Sequence, residues 1–398
     1  MKIGILTSHT PYNFGANLQA FASSQYLLSL GHDVKIIHYK PIEKTEIYKK
    51  KTQEVQWSAH EDFIDKRLPL TGIATNEKEL IEVVSDEKFD GIIVGADAVW
   101  SIPSLMTTIP IFFMNWLFED KLISNIPVAS MSVAHMGKGF LHISDDKRGK
   151  IRKSIDQFKF ISVRDEWTQK VVNCHLFGGS EKVRALNPDP VFTVDDFIQD
   201  AWDNKGIVKE NQKFILITLN KDSFGLRKWL AVFRELANRN GYLVGELALP
   251  EGVSGLEFDF VVPYPITPIQ WYLWLKNANA FVGLRFHSIV SCITAGTYFF
   301  SIDRYGSTAL LVKIINKLGL YKLGRAFDDK SKIYNLLKNT NFEKNRVHGN
   351  IGSIPPRKVF KQLMAIEQED LSLMRQKLSD IYKINIDLIL NEFKKAAN

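Results

Sequence analysis

Short apolar runs alternate with segments of helical periodicity along most of this 398-residue chain. A short apolar run bounded by turn residues fits a buried strand, whereas a longer stretch with apolar residues at 3.6 spacing fits a helix. The alternation predicts α/β layers. The predicted strands are residues 2–6, 34–37, 91–94, 128–132 and 160–163, then 214–218, 242–245, 258–262, 280–283 and 298–302. The predicted helices are residues 16–30, 223–238, 267–277, 285–295 and 307–318.

The length exceeds that of one ordinary hydrophobic core, so two domains are expected. The turn-rich segment Asn187-Pro-Asp-Pro190 and a charged stretch that extends to residue 211 separate the two alternations. We therefore expect one α/β domain over residues 1–195, a second over residues 205–355, and a helical tail over residues 356–398. Residues 39–70 are polar and basic, and we expect an irregular excursion there.

Composition excludes several classes of protein. The formal net charge of +7 is modest for this length, and no dense basic stretch with interleaved aromatic residues indicates nucleic-acid binding. Cys174 and Cys292 lie far apart without metal-type spacing, which favours a reducing, cytoplasmic compartment. The apolar run at residues 109–118 is too short to span a bilayer and contains Pro110 and Asn115. We expect this run in the core or against a membrane surface.

The segment from Phe281 to Gly296 contains the strongest candidate site. Its predicted strand ends at Gly283, and Arg285 and His287 follow where a helix is expected to begin. Ligands of open α/β sheets bind where a strand gives way to a helix, and helix N-termini attract anions. Arg285 supplies a planar fork for phosphate or carboxylate, and His287 supplies an imidazole, a group that can give or take a proton near neutral pH. An anion site that can also move a proton is expected, with the next residue, Ser288, as part of it.

Polar residues also follow two strands of the first half. Asn13 and Gly15 come after the first strand, without the G-x-G-x-x-G spacing of a dinucleotide site, and the alternative is a turn with a helix cap. Asp97 follows a later strand as a candidate base or acceptor of sugar hydroxyls, and Trp100 as a stacking platform. The alternative for this pair is a capping aspartate and a core tryptophan.

Two further candidates follow the next strands. His135 is either a catalytic or a structural histidine, and Arg164 is either a second cation for an anionic substrate or a structural partner of Asp165 or Glu166. No spacing of ligand residues indicates a metal, and no G-x-S-x-G elbow indicates a serine hydrolase.

Together these segments resemble the polysaccharide pyruvyl transferase family. Asn13-Phe-Gly-Ala-Asn-Leu-Gln-Ala20 is similar to its Asn-aromatic-Gly-Ala-x-Leu-Gln-Ala signature, and Val94-Gly-Ala-Asp-Ala-Val-Trp100 to its Gly-Ser-Asp-x-x-Trp segment. Ser162-Val-Arg-Asp165, Asn187-Pro-Asp-Pro190 and Arg285-Phe-His287 are similar to its Ser-x-Arg-Asp/Glu, Asp-Pro and Arg-x-His elements.

The resemblance runs in order from Met1 to about Leu320, with two departures. Ala134-His-Met-Gly137 stands where the family often has Ala-Ser-aromatic-Gly, and the lysine often found after the position of Asp303 is missing.

The resemblance implies a glycosyltransferase-B-like fold, with two Rossmann-like domains facing a cleft. It also implies transfer of pyruvate from phosphoenolpyruvate to a saccharide, with formation of a pyruvate ketal in surface or exopolysaccharide biosynthesis. Apart from this donor substrate, no cofactor is implied. The saccharide would be polymeric or lipid-linked, with at most peripheral contact at the inner face of a membrane.

The implied roles divide between the domains. The C-terminal domain would hold phosphoenolpyruvate and the N-terminal domain the acceptor. Arg285 and Arg164 would hold the anion while His287 supplies or relays a proton, and Asp97 or His135 would deprotonate the acceptor hydroxyl. Two alternatives stay open: a glycosyltransferase that uses a nucleotide-sugar, and a non-catalytic saccharide-binding protein.

Overall fold

The computed structural model describes residues 1–397 apart from residues 11, 103–105, 107, 137–138, 220–223, 250, 304–330, 339 and 349–350. By contacts, the chain divides into two compact units. The first unit comprises Met1–Lys50, His60–Phe197 and Leu378–Asn398, and the second comprises Lys51–Ala59 and Ile198–Lys377. The predicted helix at residues 307–318 lies outside the described residues.

The first unit is built on a seven-stranded parallel sheet with the order β3-β2-β1-β4-β5-β6-β7. Its strands are β1 (Lys2–Leu6), β2 (Asp33–Tyr39), β3 (Leu70–Ala74), β4 (Gly91–Val94), β5 (Val128–Val133), β6 (Phe160–Val163) and β7 (Ala185–Leu186). Its helices are α1 (Phe14–Ser29), α2 (Ile42–Lys49), α3 (Glu54–Arg67), α4 (Glu77–Glu87), α5 (Asn115–Glu119), α6 (Asp145–Ile155) and α7 (Glu166–Lys170), with the first residues of α3 assigned to the second unit.

The second unit is built on a six-stranded parallel sheet with the order β10-β9-β8-β11-β12-β13. Its strands are β8 (Lys213–Thr218), β9 (Tyr242–Glu246), β10 (Phe260–Val261), β11 (Ala280–Gly283), β12 (Tyr298–Asp303) and β13 (Arg346–His348). Its described helices are α8 (Phe224–Arg239), α9 (Pro268–Asn277), α10 (Phe286–Ala295), α11 (Lys332–Leu337) and α12 (Pro356–Leu363).

The last helix, α13 (Gln368–Ala397), is divided between the units at Lys377. Its C-terminal part covers the first sheet. The ring of Phe393 lies so close to Gly91 that a Cβ there would be 2.4 Å from it, and the hydroxyl of Tyr382 donates to Sδ of Met131 at 3.3 Å. The first unit is therefore completed by residues from the far end of the sequence.

The predicted α/β layers are confirmed, and the strand orders show where each sheet reverses. In each sheet the order reverses beside the first strand of the unit, between β1 and β4 and between β8 and β11. This is the order of a doubly wound nucleotide-binding fold, in which ligands bind outside the carboxyl ends of the strands at the reversal. We call these two places the first and second switch points.

The expectation of an irregular excursion at residues 39–70 is wrong. This stretch forms α2 and α3 and reaches β3. Trp57, His60, Phe63 and Ile64 of α3 are buried, at the spacing of three to four residues that places them on one helical face. The many charged residues between them conceal this periodicity in the sequence.

The run at residues 109–118 belongs to the core, which was one of its two expected places. Phe113, Met114 and Leu117 are fully buried among the apolar residues of the first unit. No helix in the described part of the chain is both long and apolar enough to cross a membrane.

Candidate functional site

A tight turn follows β4 at the first switch point. The Gly95–Ala96 peptide is cis, and Asp97, next along the chain, has a φ of 72°. A Cβ at Gly95 would lie 1.9 Å from the carbonyl oxygen of Met131, so a side chain is excluded there. The carbonyl of Asp97 accepts from the N–H of Ala134 at 2.8 Å, which holds the turn against the end of β5.

Two buried side chains on the β1 side of the switch point, one directly after β1 and one in α1, also bond to this turn. The N–H of Ala96 donates to Oε1 of Gln19 at 3.2 Å, and the hydroxyl of Thr7 donates to the carbonyl of Ala96 at 3.3 Å. Nε2 of Gln19 donates to the hydroxyl of Thr7 at 2.8 Å. The segments that contain Asn13 and Asp97 in the sequence therefore meet across the first switch point.

Arg164 lies between two carboxylates. Its Nη2 is 3.2 Å from Oδ1 of Asp97 and its Nη1 is 2.7 Å from Oδ2 of Asp189. The arginine side chain is only 3% exposed and that of Asp97 is 17% exposed. Burial disfavours the charged guanidinium, but Asp97 and Asp189 outweigh it and raise the pKa of Arg164.

The structural partners of Arg164 differ from the expected ones. The sequence suggested Asp165 or Glu166, whereas the bonded carboxylates come from Asp97 and Asp189. Oδ1 of Asp165 instead accepts from the N–H of Thr168 at 2.7 Å and so caps α7. Adjacency in sequence did not predict these bonds. Arg164 bonds to Asp97 and Asp189 across the sheet edge, whereas Asp165 bonds to the first turn of the helix that it caps.

His135 is buried at the end of β5 with a defined ring orientation. Its Nδ1 lies 2.9 Å from the carbonyl oxygen of Trp100, and its N–H donates to the hydroxyl of Thr168 at 2.9 Å. Since a carbonyl oxygen only accepts, Nδ1 carries the hydrogen, and Nε2 is the nitrogen that accepts a proton when the ring is neutral. This tautomer suits a general base.

Trp100 itself belongs to the core. Its ring is fully buried and stacks on Phe113 with 6.1 Å between ring centroids, and its Nε1 donates to the carbonyl of Phe112 at 3.1 Å. Of the two alternatives for Trp100, the core tryptophan agrees with the structure. A fully buried ring presents no face on which a sugar could stack.

Asn13 and Gly15 begin α1 at the same sheet edge. Oδ1 of Asn13 accepts from the N–H groups of Gly15 and Ala16 at 3.0 and 3.4 Å, which is the arrangement of an N-cap. The helix-cap alternative accounts for this contact. Binding of a ligand by Asn13 and Gly15 stays a prediction.

The second switch point contains the Arg285 segment. A Cβ at Gly283 would lie 2.8 Å from the carbonyl oxygen of Thr218, so β11 and β8 approach closely at their ends. Arg285 has a φ of 82° and is the N-cap residue of α10, and its side chain makes no capping hydrogen bond. The N–H groups at a helix N-terminus and the helix dipole favour an anion at this position.

The charged groups at this second site are accessible. Nη2 of Arg285 is 3.0 Å from Oε1 of Glu251, and both side chains are 51% exposed. His287 and Ser288, in the first turn of α10, are buried. Within the second unit the structure thus brings together Arg285, His287 and Ser288, as expected, and adds Glu251.

Sequence reasoning missed four residues of these sites: Thr7, Gln19, Asp189 and Glu251. Gln19 carried a signal, because it is an amide inside the mainly apolar helix α1. Asp189 also carried a signal, because it lies in the Asn187-Pro-Asp-Pro190 segment that resembles the family, whereas Thr7 and Glu251 gave none. In the described residues, no group of three or more histidine, cysteine, aspartate or glutamate side chains could hold a metal ion.

Comparison with solved structures shows the fold. The spinosyn forosaminyltransferase SpnP is 9% identical, with a TM-score of 0.51, over 100% of both chains. The glycosyltransferase SnogD from Streptomyces nogalater is 12% identical, with a TM-score of 0.51, over 98% of this chain and 99% of its own. The UDP-GlcNAc 2-epimerase from Neisseria meningitidis bound to UDP-GlcNAc is 12% identical, with a TM-score of 0.52, over 98% and 100%. The fold is glycosyltransferase-B-like, with two Rossmann-like sheets.

Comparison of sequences shows the family. No curated protein sequence matches the chain. The model of one family, polysaccharide pyruvyl transferase, matches residues 13–305, well over half of the chain, and this range contains every candidate site residue described above except Thr7. The chain belongs to the polysaccharide pyruvyl transferase family.

Proposed function

We propose that this protein transfers pyruvate from phosphoenolpyruvate to two hydroxyls of a saccharide, forming a pyruvate ketal in the biosynthesis of a surface polysaccharide. One observation carries the donor assignment: the half-exposed guanidinium of Arg285 stands at the N-terminus of α10, on the second switch point. Phosphoenolpyruvate has a phosphate and a carboxylate, and a planar guanidinium beside helix N–H groups suits either anion. Family membership supplies the reaction class.

The donor chemistry requires a proton at carbon. The methylene carbon of phosphoenolpyruvate gains a proton, two sugar oxygens bond to the neighbouring carbon, and the bond from that carbon to the phosphate oxygen breaks. Of the two hydroxyl protons lost, one balances the new methyl group and the other leaves with phosphate. His287, in the first turn of α10, is our candidate for the proton donor, because imidazole gains and loses a proton near neutral pH.

The acceptor chemistry requires a base, and we assign it to the first switch point. The bond from Nδ1 of His135 to the carbonyl of Trp100 makes Nε2 the nitrogen that takes up a proton, and a carboxylate such as that of Asp97 accepts hydrogen bonds from hydroxyls. Arg164 serves differently from the expectation that it binds the substrate anion. Its charge lies between Asp97 and Asp189, so we assign it to orienting Asp97.

Thermal unfolding with and without ligands tests the donor assignment. Phosphoenolpyruvate is expected to raise the Tm of the wild type but not that of Arg285→Ala. Arg239→Ala is the matched control, because Arg239 is also an exposed arginine of the second unit with one carboxylate partner, Glu235. The control should respond like the wild type.

A transfer assay completes the test. Incubation with phosphoenolpyruvate and the saccharide of the source cell should release phosphate and add one pyruvate ketal to the saccharide, measured by mass spectrometry. Stabilisation by a nucleotide-sugar alone, with no ketal formed, would replace the proposal with a glycosyltransferase. A response to saccharide alone would indicate a binding protein.

A further inference from the structure

The amide of Gln19 is a polar group in the interior of the first unit. The residue is fully buried in α1, and three bonds satisfy its side chain. Oε1 accepts from the N–H of Ala96 at 3.2 Å, while Nε2 donates to the hydroxyl of Thr7 at 2.8 Å and to the carbonyl of Ala16 at 2.9 Å. One side chain thereby joins α1, the end of β1 and the turn after β4.

Stability alone gives little reason for an amide at this place. Burying an amide costs free energy that its hydrogen bonds only repay, and an apolar side chain of similar size suits a mainly apolar helix equally well. The satisfied network does, however, fix geometry, since each member restricts the others. Its target is the residue immediately before Asp97, and Asp97 has a φ that non-glycine residues rarely adopt.

Thr7 completes the arrangement. Its hydroxyl accepts from Gln19 and donates to the carbonyl of Ala96, so the amide sets the direction of the hydroxyl hydrogen. The N–H and the carbonyl of Ala96 are therefore both held by side chains from the β1 side of the switch point. Arg164 holds the carboxylate of Asp97 from the β6 side.

We propose that Gln19, together with Thr7, is a positioning residue that sets the direction of the Asp97 carboxylate toward the acceptor saccharide through the backbone of Ala96. The acceptor role of Asp97 rests on the proposed function, whereas the control of its backbone does not. Gln19 touches neither substrate in this scheme. It acts on catalysis only by positioning Asp97. Its removal should therefore change the kinetics with the saccharide and not those with phosphoenolpyruvate.

Steady-state kinetics of four variants test this expectation. Gln19→Met keeps the size of the side chain and removes the amide, with both its hydrogen-bond acceptor and its donor. We expect kcat/KM for the saccharide to fall roughly tenfold to a hundredfold, as for displaced catalytic groups. The KM for phosphoenolpyruvate should not change, because the donor residues belong to the other unit. Thr7→Val should act like Gln19→Met, and Thr7→Ser like the wild type. Ser24→Ala removes a buried hydroxyl that donates within α1, to the carbonyl of Phe21, and should retain activity.

A double-mutant cycle separates positioning from a structural role. If Gln19 acts through Asp97, then Gln19→Met should lower kcat/KM no further in an Asp97→Asn background. A merely structural amide would lower it by the same factor in both backgrounds, which would overturn the proposal.

Amide hydrogen exchange tests the backbone contact without reference to activity. Exchange at Ala96 and Asp97 should accelerate at least tenfold in Gln19→Met and stay unchanged in Ser24→Ala. Unchanged exchange in Gln19→Met would refute the positioning role. A wild type that transfers no pyruvate would refute the proposed function and leave this exchange result to decide the inference.

Discussion

Asp97 and Arg285 occupy the same position in their respective sheets. Each is the second residue after a glycine at the end of the strand that borders the switch point, and each has a positive φ, 72° and 82° respectively. At corresponding positions, the first unit thus has a carboxylate and the second has a guanidinium. This difference in charge fits a hydroxyl-bearing acceptor for the first site and an anionic donor for the second.

Removal of the charge of Glu251 should strengthen donor binding. Glu251 pairs with Arg285, so a phosphate or carboxylate that binds Arg285 must displace it. Exposed ion pairs contribute about 0.2–1 kcal/mol. Glu251→Gln should therefore lower the Kd of phosphoenolpyruvate up to about fivefold in calorimetric titration. Glu257→Gln, which removes a similar exposed partner from Arg234, should leave it unchanged. Weaker binding in Glu251→Gln would mean that Glu251 itself holds the ligand.

Arg164 should be essential to the stability of the first unit. Arg164→Met would leave Asp97 and Asp189 without their shared cation, and breaking a buried ion pair costs about 3–5 kcal/mol. Arg184→Met provides the control, because Arg184 pairs with Glu392 at the surface and is mostly exposed. That change should cost at most about 1 kcal/mol. Urea unfolding measures both, and equal losses would contradict the buried pairing.

Acid should destabilise the first unit through buried histidines. Burial, followed by the neighbouring His38, lowers the pKa of His9 to about 3, and burial lowers that of His60 to about 4. Both are neutral in the folded protein at pH values where the unfolded chain binds protons, so stability falls as pH drops below about 6.5. Each of the two histidines should lower the free energy of unfolding at pH 5 by about 2 kcal/mol relative to pH 7.

Urea unfolding between pH 7 and pH 5 measures this loss. His60→Phe should reduce the pH dependence, whereas His142→Gln, a change at an exposed histidine, should retain it. A free energy of unfolding that does not change over this range would show that the imidazoles are not held neutral.

Gly95 should not accept even a methyl group. In Gly95→Ala the new Cβ would meet the carbonyl oxygen of Met131, which is backbone and cannot rotate away. Gly178→Ala is the matched control, since Gly178 also has a positive φ but has nothing within 4 Å of its Cβ position. The control should lose about 1–2 kcal/mol from its backbone conformation alone. Gly95→Ala should lose more than twice as much or yield no folded protein, and a similar Tm for both would count against this packing.

The interior strands could be predicted from the sequence because both of their faces are covered. The predicted ranges of β1, β4, β6 and β11 agree with the structure residue for residue. Strands covered on both faces are apolar throughout and so are recognisable as runs. The edge strands β3, β7 and β13 were missed because none of them forms an apolar run. Thr71 and Gly72 interrupt β3, β7 has only two residues, and β13 has a single valine between Arg346 and His348.

The candidate site could be predicted only in part, for a related reason. Asp97, His135 and Arg285 follow recognisable strands, so their place at a sheet edge is a local property. Their partners are not local. Thr7 and Gln19 reach Ala96 from 89 and 77 residues away, and Asp189 reaches Arg164 from 25. Only the strand order, which periodicity does not reveal, brings these pairs together.

The cover that α13 provides has a consequence for biosynthesis. When the ribosome has synthesised the last strand of the first sheet, β7, about half of the chain is still to be made before Tyr382 and Phe393 are available. Until then, the sheet surface at Gly91 and Met131 stays bare in the nascent chain. Domains of most proteins fold as they emerge, N-terminal first. Here the first unit includes the C-terminal part of α13, which is synthesised last. The residues of the second unit are therefore all synthesised before those of the first unit are complete.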